Sequence, residues 1–162
     1  MNLRSALPAP YRSGVVAGAV RSAGVTPSVL IIDDEPDVLD YFEEVLHPEG
    51  LAITILSDPS VVVRRLHDEL FHIVLLDLMM PKIDGLRLLA QIRAFDEDIS
   101  VIMVSGYASV ETVSASTELG ISAFLLHPIT PVELRDAIAR IVKKKALAPR
   151  GPAASGPRPA ER

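Results

Sequence analysis

Cysteine and tryptophan are both missing from this chain of 162 residues. Without cysteine there is no disulfide, no thiolate metal site and no thiol nucleophile. That fits a reducing compartment. Aromatics are scarce, with four Phe and three Tyr, so a core has to be built from Val, Ile, Leu and Ala. No apolar run approaches the roughly 18–20 residues that a membrane span needs, and no membrane partner is expected. Arg4 and Arg12 precede a short apolar stretch, Val15–Val20, but Arg21 follows at once and no clear cleavage pattern appears. This makes a poor secretory signal, and the expected location is cytoplasmic.

What is present is unevenly charged. Residues 1–28 carry three arginines and no acid, a net of +3. Residues 143–162 carry six basic residues against Glu161, a net of +5. Between them, residues 29–142 hold seven basic and 20 acidic residues, a net of −13. An acidic globular unit therefore sits between two basic ends. Pro, Ala, Gly and Arg dominate 146–162. That composition favours a solvated tail over a nucleic-acid contact, and nucleic acid is not an expected partner. The division expected is a flexible arm over 1–27, a domain over 28–144 and a disordered basic Pro/Ala-rich tail over 145–162.

Regular patterning begins at Val29. Short apolar runs at Val29–Ile32, Ile73–Leu76, Val101–Val104 and Ala123–Leu126 read as buried strands. Ile53 and Ile55 alternate about Thr54 and read as a less buried edge strand. Each strand is followed by a helical period. These are Val38, Leu39, Phe42, Val45 and Leu46, then Val62, Val63, Leu66 and Leu70 after Asp58-Pro59, then Leu88, Leu89 and Ile92. A weaker helix over about 108–118 stops at Gly120, and Leu134, Ala137, Ile138, Ile141 and Val142 mark the last. Five alternations with four strands apolar on both faces predict an α/β, doubly wound, five-stranded parallel sheet of order 2-1-3-4-5, the flavodoxin-like arrangement.

In such a sheet, ligands bind beyond the C-terminal strand ends. The first strand delivers Asp33 and Asp34 there, the third Asp77, the fourth Ser105 and the fifth His127-Pro128. Three carboxylates then share one small volume, which is unfavourable unless a cation joins them. A hard divalent ion with oxygen ligands resolves the conflict, and Mg²⁺ is the natural choice where phosphate is the partner. One Asp after a strand is ordinarily a helix cap, and Asp34 or Glu35 could cap a helix begun by Pro36. Capping does not account for three on adjacent strand ends. His47, His67 and His72 lack ligand spacing and read as surface or helix-end residues.

The strings Ile31-Ile32-Asp33-Asp34-Glu35, Leu75-Leu76-Asp77-Leu78-Met79-Met80-Pro81, Asp84-Gly85, Met103-Val104-Ser105-Gly106 and Phe124-Leu125-Leu126-His127-Pro128 resemble the receiver domains of two-component response regulators. The resemblance covers roughly residues 28–144, and its order, spacing and strand placement all agree. It implies that Asp77 is the phosphoacceptor. It implies that Asp33, Asp34, Asp77 and the backbone carbonyl of Met79 surround Mg²⁺. Ser105 would hydrogen-bond a phosphoryl oxygen, and Phe124 would be the aromatic that changes rotamer on activation. Pro128 would follow a cis bond, and Gly85 would permit the turn into the third helix. The implied phosphodonor is a sensor histidine kinase or phosphotransfer protein. The implied output is a downstream protein partner or a self-dimer formed through the fourth helix, fifth strand and fifth helix. The implied role is that of a switch, not of an enzyme turning over an external substrate.

One position departs from the family pattern: His127 stands where a lysine is usual. Three readings follow: a substitute cation with pH sensitivity, a weakened coupling to Phe124, or a lost switch. The bulky Met79 and Tyr107 flank the path of attacking water in this family, which leads to the expectation of a long-lived phospho-form. Two rival readings remain. One is a phosphorylation-independent pseudo-receiver that acts as a docking module. The other is a Mg²⁺-dependent phosphatase, although a haloacid-dehalogenase-type enzyme would want Asp-x-Asp where this chain has adjacent Asp33-Asp34. A flavodoxin would want a phosphate loop where Asp34-Glu35-Pro36 would repel one.

Overall fold

A computed structural model describes residues 25–145. Ten elements alternate strictly: β1 (Ser28–Ile32), α1 (Pro36–Leu46), β2 (Ala52–Leu56), α2 (Val62–Asp68), β3 (Ile73–Asp77), α3 (Gly85–Phe95), β4 (Ser100–Ser105), α4 (Val110–Glu118), β5 (Ala123–Leu126) and α5 (Pro131–Lys145). The strands form one parallel sheet in the order β2-β1-β3-β4-β5, as the patterning predicts.

Alternation along the central strands sorts their side chains onto two faces. Val29, Ile31, Ile73, Leu75, Ile102 and Val104 pack under α1 and α5, against Leu39, Phe42, Leu46, Leu134, Ile138 and Val142. Leu30, Ile32, Val74, Leu76, Val101 and Met103 face the other way, onto Val62 and Leu66 of α2 and Leu88, Leu89 and Ile92 of α3. These two apolar layers are the core. Burying each such side chain contributes about 1.5–3 kcal/mol.

Several sequence expectations shift. Asp58 does open the second helix, its Oδ1 accepting from Ser60 N–H at 3.0 Å, but the first turn, Pro59–Val61, is 3-10. α2 ends at Asp68 with Glu69 extended, so Leu70 falls outside its apolar face and is exposed. β3 and β4 are buried throughout and β1 from Val29 onward, whereas β5 is half-buried and ends in exposed Leu126. β5 is the second edge of the sheet, and its neighbour α4 buries only Ser116. The expectation of four strands covered on both faces therefore fails for β5. Residues 25–27 of the expected N-terminal arm have no regular structure. Lys145, assigned above to the tail, closes α5, and the rest of both ends lies outside the described residues.

Candidate functional site

Asp77 is the last residue of β3, and Asp33 follows β1 directly. Ile32 and Leu76 are register partners, so the two carboxylates leave the sheet at one level. Asp33 and Asp77 are buried and Asp34 is half-buried. One oxygen from each lies within 4.8 Å of the others. The expected convergence of three acids is present.

Local bonding explains their orientation. Asp33 Oδ1 accepts from Glu35 N–H at 2.9 Å, turning the chain into α1. Glu35 occupies the position before Pro36 with no side-chain cap bond, so neither Asp34 nor Glu35 is spent on capping. Asp77 Oδ1 accepts from Met79 N–H at 3.1 Å. Burial raises the Asp77 carboxyl to about 7; the Met79 N–H opposes that rise, while Asp33, Asp34 and Glu35 add to it. Burial also raises Asp33, opposed first by its bond to Glu35 N–H. Two buried acids that resist ionisation, with a third beside them, make a set of hard oxygen donors that fits a divalent cation such as Mg²⁺. Asp33, Asp34 and Asp77 are the side chains that would hold it.

The other predicted residues surround this set. Met79 is 66% exposed and pairs with Asp84 in a short antiparallel bridge. Its turn returns to Gly85, whose N–H donates to Leu78 C=O at 3.0 Å. Gly85 stands at the turn into α3, and the constraint there is close approach. A Cβ there would lie 2.5 Å from the Asp77 carbonyl oxygen and 2.6 Å from Leu78 Cα. Glycine lets the start of α3 press directly onto the end of β3. Asp84 caps that helix, its Oδ1 accepting from Leu86 N–H at 2.9 Å.

Ser105 is buried at the end of β4. Its hydroxyl donates to Tyr107 C=O at 2.6 Å and accepts from Tyr107 N–H at 3.1 Å. In this state the hydroxyl is engaged by its own loop. Tyr107 is 68% exposed, so both bulky loop residues, Met79 and Tyr107, stand in solvent. Phe124 is half-buried on the α2–α3 face of the sheet. The His127-Pro128 bond is cis, as expected. His127 is half-buried, and its N–H donates to Ser105 C=O at 2.8 Å. Its ring stacks on Phe42 of α1, with centroids 6.0 Å apart and planes at 17°. It is close enough to Asp33 to favour that carboxylate's charged form.

The sequence reading missed Tyr41, whose hydroxyl donates to Ile129 C=O at 2.7 Å across 88 positions. Such a tie leaves no local signal in sequence; only the polar tip of an otherwise helical residue hinted at it. It also reads His72 as a surface or helix-end residue, and this residue is neither. His72 is buried, and its Nδ1 accepts from Ser28 N–H at 3.0 Å. The cue was its position against the apolar run that starts at Ile73.

Comparison with known proteins agrees with this geometry. Residues 29–139 match the response regulator receiver domain family. The chain is similar to the transcriptional regulatory protein PrrA of Mycobacterium bovis, 33% identical over 75% of this chain and 53% of that protein. It is also similar to sporulation initiation phosphotransferase F of Bacillus subtilis, 28% identical over 73% of this chain and 95% of that one. A CheY-like response regulator receiver domain protein from Methanospirillum hungatei superimposes with a TM-score of 0.72 at 27% identity, covering 75% of this chain and 97% of that structure. The chain thus spans about half the length of the transcriptional regulators it matches. On the acid cluster, the sheet order and these matches together, the chain belongs to the response regulator receiver domain family of two-component signalling.

Proposed function

We propose that this domain is a phosphoacceptor switch that takes a phosphoryl group on Asp77 with Mg²⁺ bound. The observation that carries this reading is the buried Asp77 carboxylate at the end of a central strand, with oxygens of Asp33 and Asp34 within 4.8 Å. In the transfer, an Asp77 carboxylate oxygen attacks phosphorus. The bond from phosphorus to the donor breaks, its electron pair leaves with the donor, and an acyl phosphate remains on Asp77. Bound Mg²⁺ supplies positive charge against the phosphoryl oxygens. Met79 N–H fixes the Asp77 carboxylate, leaving its second oxygen for attack. The donor is a sensor histidine kinase or a phosphotransfer protein.

The output follows from Ser105. To donate to a phosphoryl oxygen its hydroxyl must give up Tyr107 C=O, although it can still accept from Tyr107 N–H. That frees the loop before α4, a helix that buries only Ser116. Phe124 on β5, half-buried against the α2–α3 layer, would follow. The surface of α4, β5 and α5 then changes for a protein partner or a second copy. Relatives named as transcriptional regulators extend beyond the matched region, so a DNA-linked output belongs among the outcomes to test. No helix among the described residues is long and apolar enough to cross a membrane; a cytoplasmic location is part of this proposal. So is the absence of turnover on an external substrate. Exposed Met79 and Tyr107 would shield the phosphoryl group from water and lengthen the life of the phospho-form.

The test is intact-protein mass spectrometry after incubation with acetyl phosphate, with and without Mg²⁺, beside Asp77→Asn. A single phosphoryl adduct that needs both Mg²⁺ and Asp77 is expected. No adduct on folded protein would move the reading to the pseudo-receiver. Continuous hydrolysis of a phosphomonoester would move it to the phosphatase.

A further inference from the structure

We infer that Tyr41 and Phe42 are positioning residues, which mount His127 beside the acid cluster so that a short imidazole can serve where this family carries a long lysine. The inference rests on the phosphoacceptor reading and deepens it.

The two side chains differ in how they reach a target. A lysine carries its charge on a flexible four-carbon stem and tolerates slack in its backbone. An imidazole has two side-chain torsions and a rigid ring, so its reach is set by where the backbone stands. A histidine at this position needs a fixed loop, and three contacts fix it. His127 N–H donates to Ser105 C=O at 2.8 Å, which ties the end of β5 to β4. The ring lies nearly parallel to Phe42, which is fully buried and cannot give way. Two residues on, Ile129 C=O accepts from the Tyr41 hydroxyl at 2.7 Å. Adjacent residues of α1 thus hold the ring and the backbone of one short loop. The third of these contacts spans 88 positions and joins Tyr41, at the surface, to the backbone of Ile129, which is buried in the layer under α1 and α5. The mount holds His127 at the C-terminal end of the sheet, tied to Ser105 of β4, whose preceding residue Val104 is the register partner of Asp77.

Tyr41→Phe tests this, since it keeps the ring and removes only the hydroxyl. It is to be made alone and with His127→Lys, and the initial rate of phospho-Asp77 formation from acetyl phosphate with Mg²⁺ is to be read by intact mass. Thermal melts establish that each variant is folded. Tyr41→Phe is expected to slow the wild-type rate about 3- to 10-fold, the equivalent of one net hydrogen bond. In the His127→Lys background it is expected to have no effect, because the lysine does not need the mount. Equal slowing in both backgrounds, or none in either, overturns the inference.

A second readout is independent of phosphorylation. The His127 ring resonances, observed by NMR, are expected to move in Tyr41→Phe, while those of His67, on the opposite helix layer against Phe95, stay in place. An unmoved His127 signal also overturns the inference. If the wild type forms no adduct, the phosphoacceptor reading falls, and the NMR comparison alone decides the mount.

Discussion

The two ends of the central sheet treat buried polarity in opposite ways. At the N-terminal end, polar groups satisfy one another. Ser28 N–H donates to His72 Nδ1 at 3.0 Å, Ser28 Oγ donates to Leu70 C=O at 2.7 Å, and His72 N–H and C=O reach Ser28 and Ser100. At the C-terminal end, Asp33 and Asp77 are as deeply buried, yet each is recorded with one backbone N–H and faces other acids. One end has settled its charges and polar atoms within the chain. The other has been left in deficit, short of positive charge. A deficit maintained inside a folded core marks a place where something from outside completes the structure.

The sharpest way to break this contrast is to disturb the packing under the acids. Gly85→Ala would put a Cβ against the Asp77 carbonyl and Leu78 Cα, both backbone atoms with little room to move. Destabilisation of about 3 kcal/mol or more is expected in urea unfolding. A variant within about 0.5 kcal/mol of wild type would show that the β3–α3 contact is slack.

Removing the charge deficit should do the reverse. Asp77 titrates at about 7 in the fold, above its ordinary value of 3.8. Between those values the native state holds a proton that the unfolded state has lost, so this group's contribution to stability falls as pH rises through the window. Asp77→Asn has no such proton to lose. Without Mg²⁺ it is expected to match wild type near pH 4. By pH 8 it should exceed wild type by on the order of 2–4 kcal/mol. Urea melts at four pH values with EDTA check this. Saturating Mg²⁺ should narrow the gap, because the cation compensates the charge in wild type. A pH-independent difference would mean that Asp77 is not strained.

The C-terminal half of this contrast is legible in the sequence. The order of the strands and the convergence of Asp33, Asp34 and Asp77 follow from apolar runs that each end in a polar residue. The pattern is strong because a strand buried on both faces leaves its polar residues nowhere but its ends. What escaped the sequence were features without a local period. Gly85 does stand at the turn into α3, but the reason for glycine there is close approach to a strand end eight positions earlier. Leu70 was placed on a helix that stops two residues short of it. His72 was read as a surface or helix-end residue because a histidine beside an apolar run has no partner visible in sequence; Ser28 supplies one from another strand. In each case a partner distant in the chain, or the absence of one, decided the outcome.

The N-terminal end offers the milder tests. His72→Ala would leave Ser28 N–H without its acceptor at a half-buried site and is expected to cost about 1–3 kcal/mol. The rate of phospho-Asp77 formation should not change, since His72 sits at the far end of the sheet. Ser100 is the exception that sharpens the rule. It is buried at the start of β4, and its Oγ has no hydrogen-bond partner among the described residues. If this end is structural only, that hydroxyl is a small unrepaid desolvation, and Ser100→Ala should be neutral or stabilising by up to about 1 kcal/mol. A loss of similar size would mean that the hydroxyl has a partner in solution, and that the settled end of the sheet relies on a group from outside the chain as well.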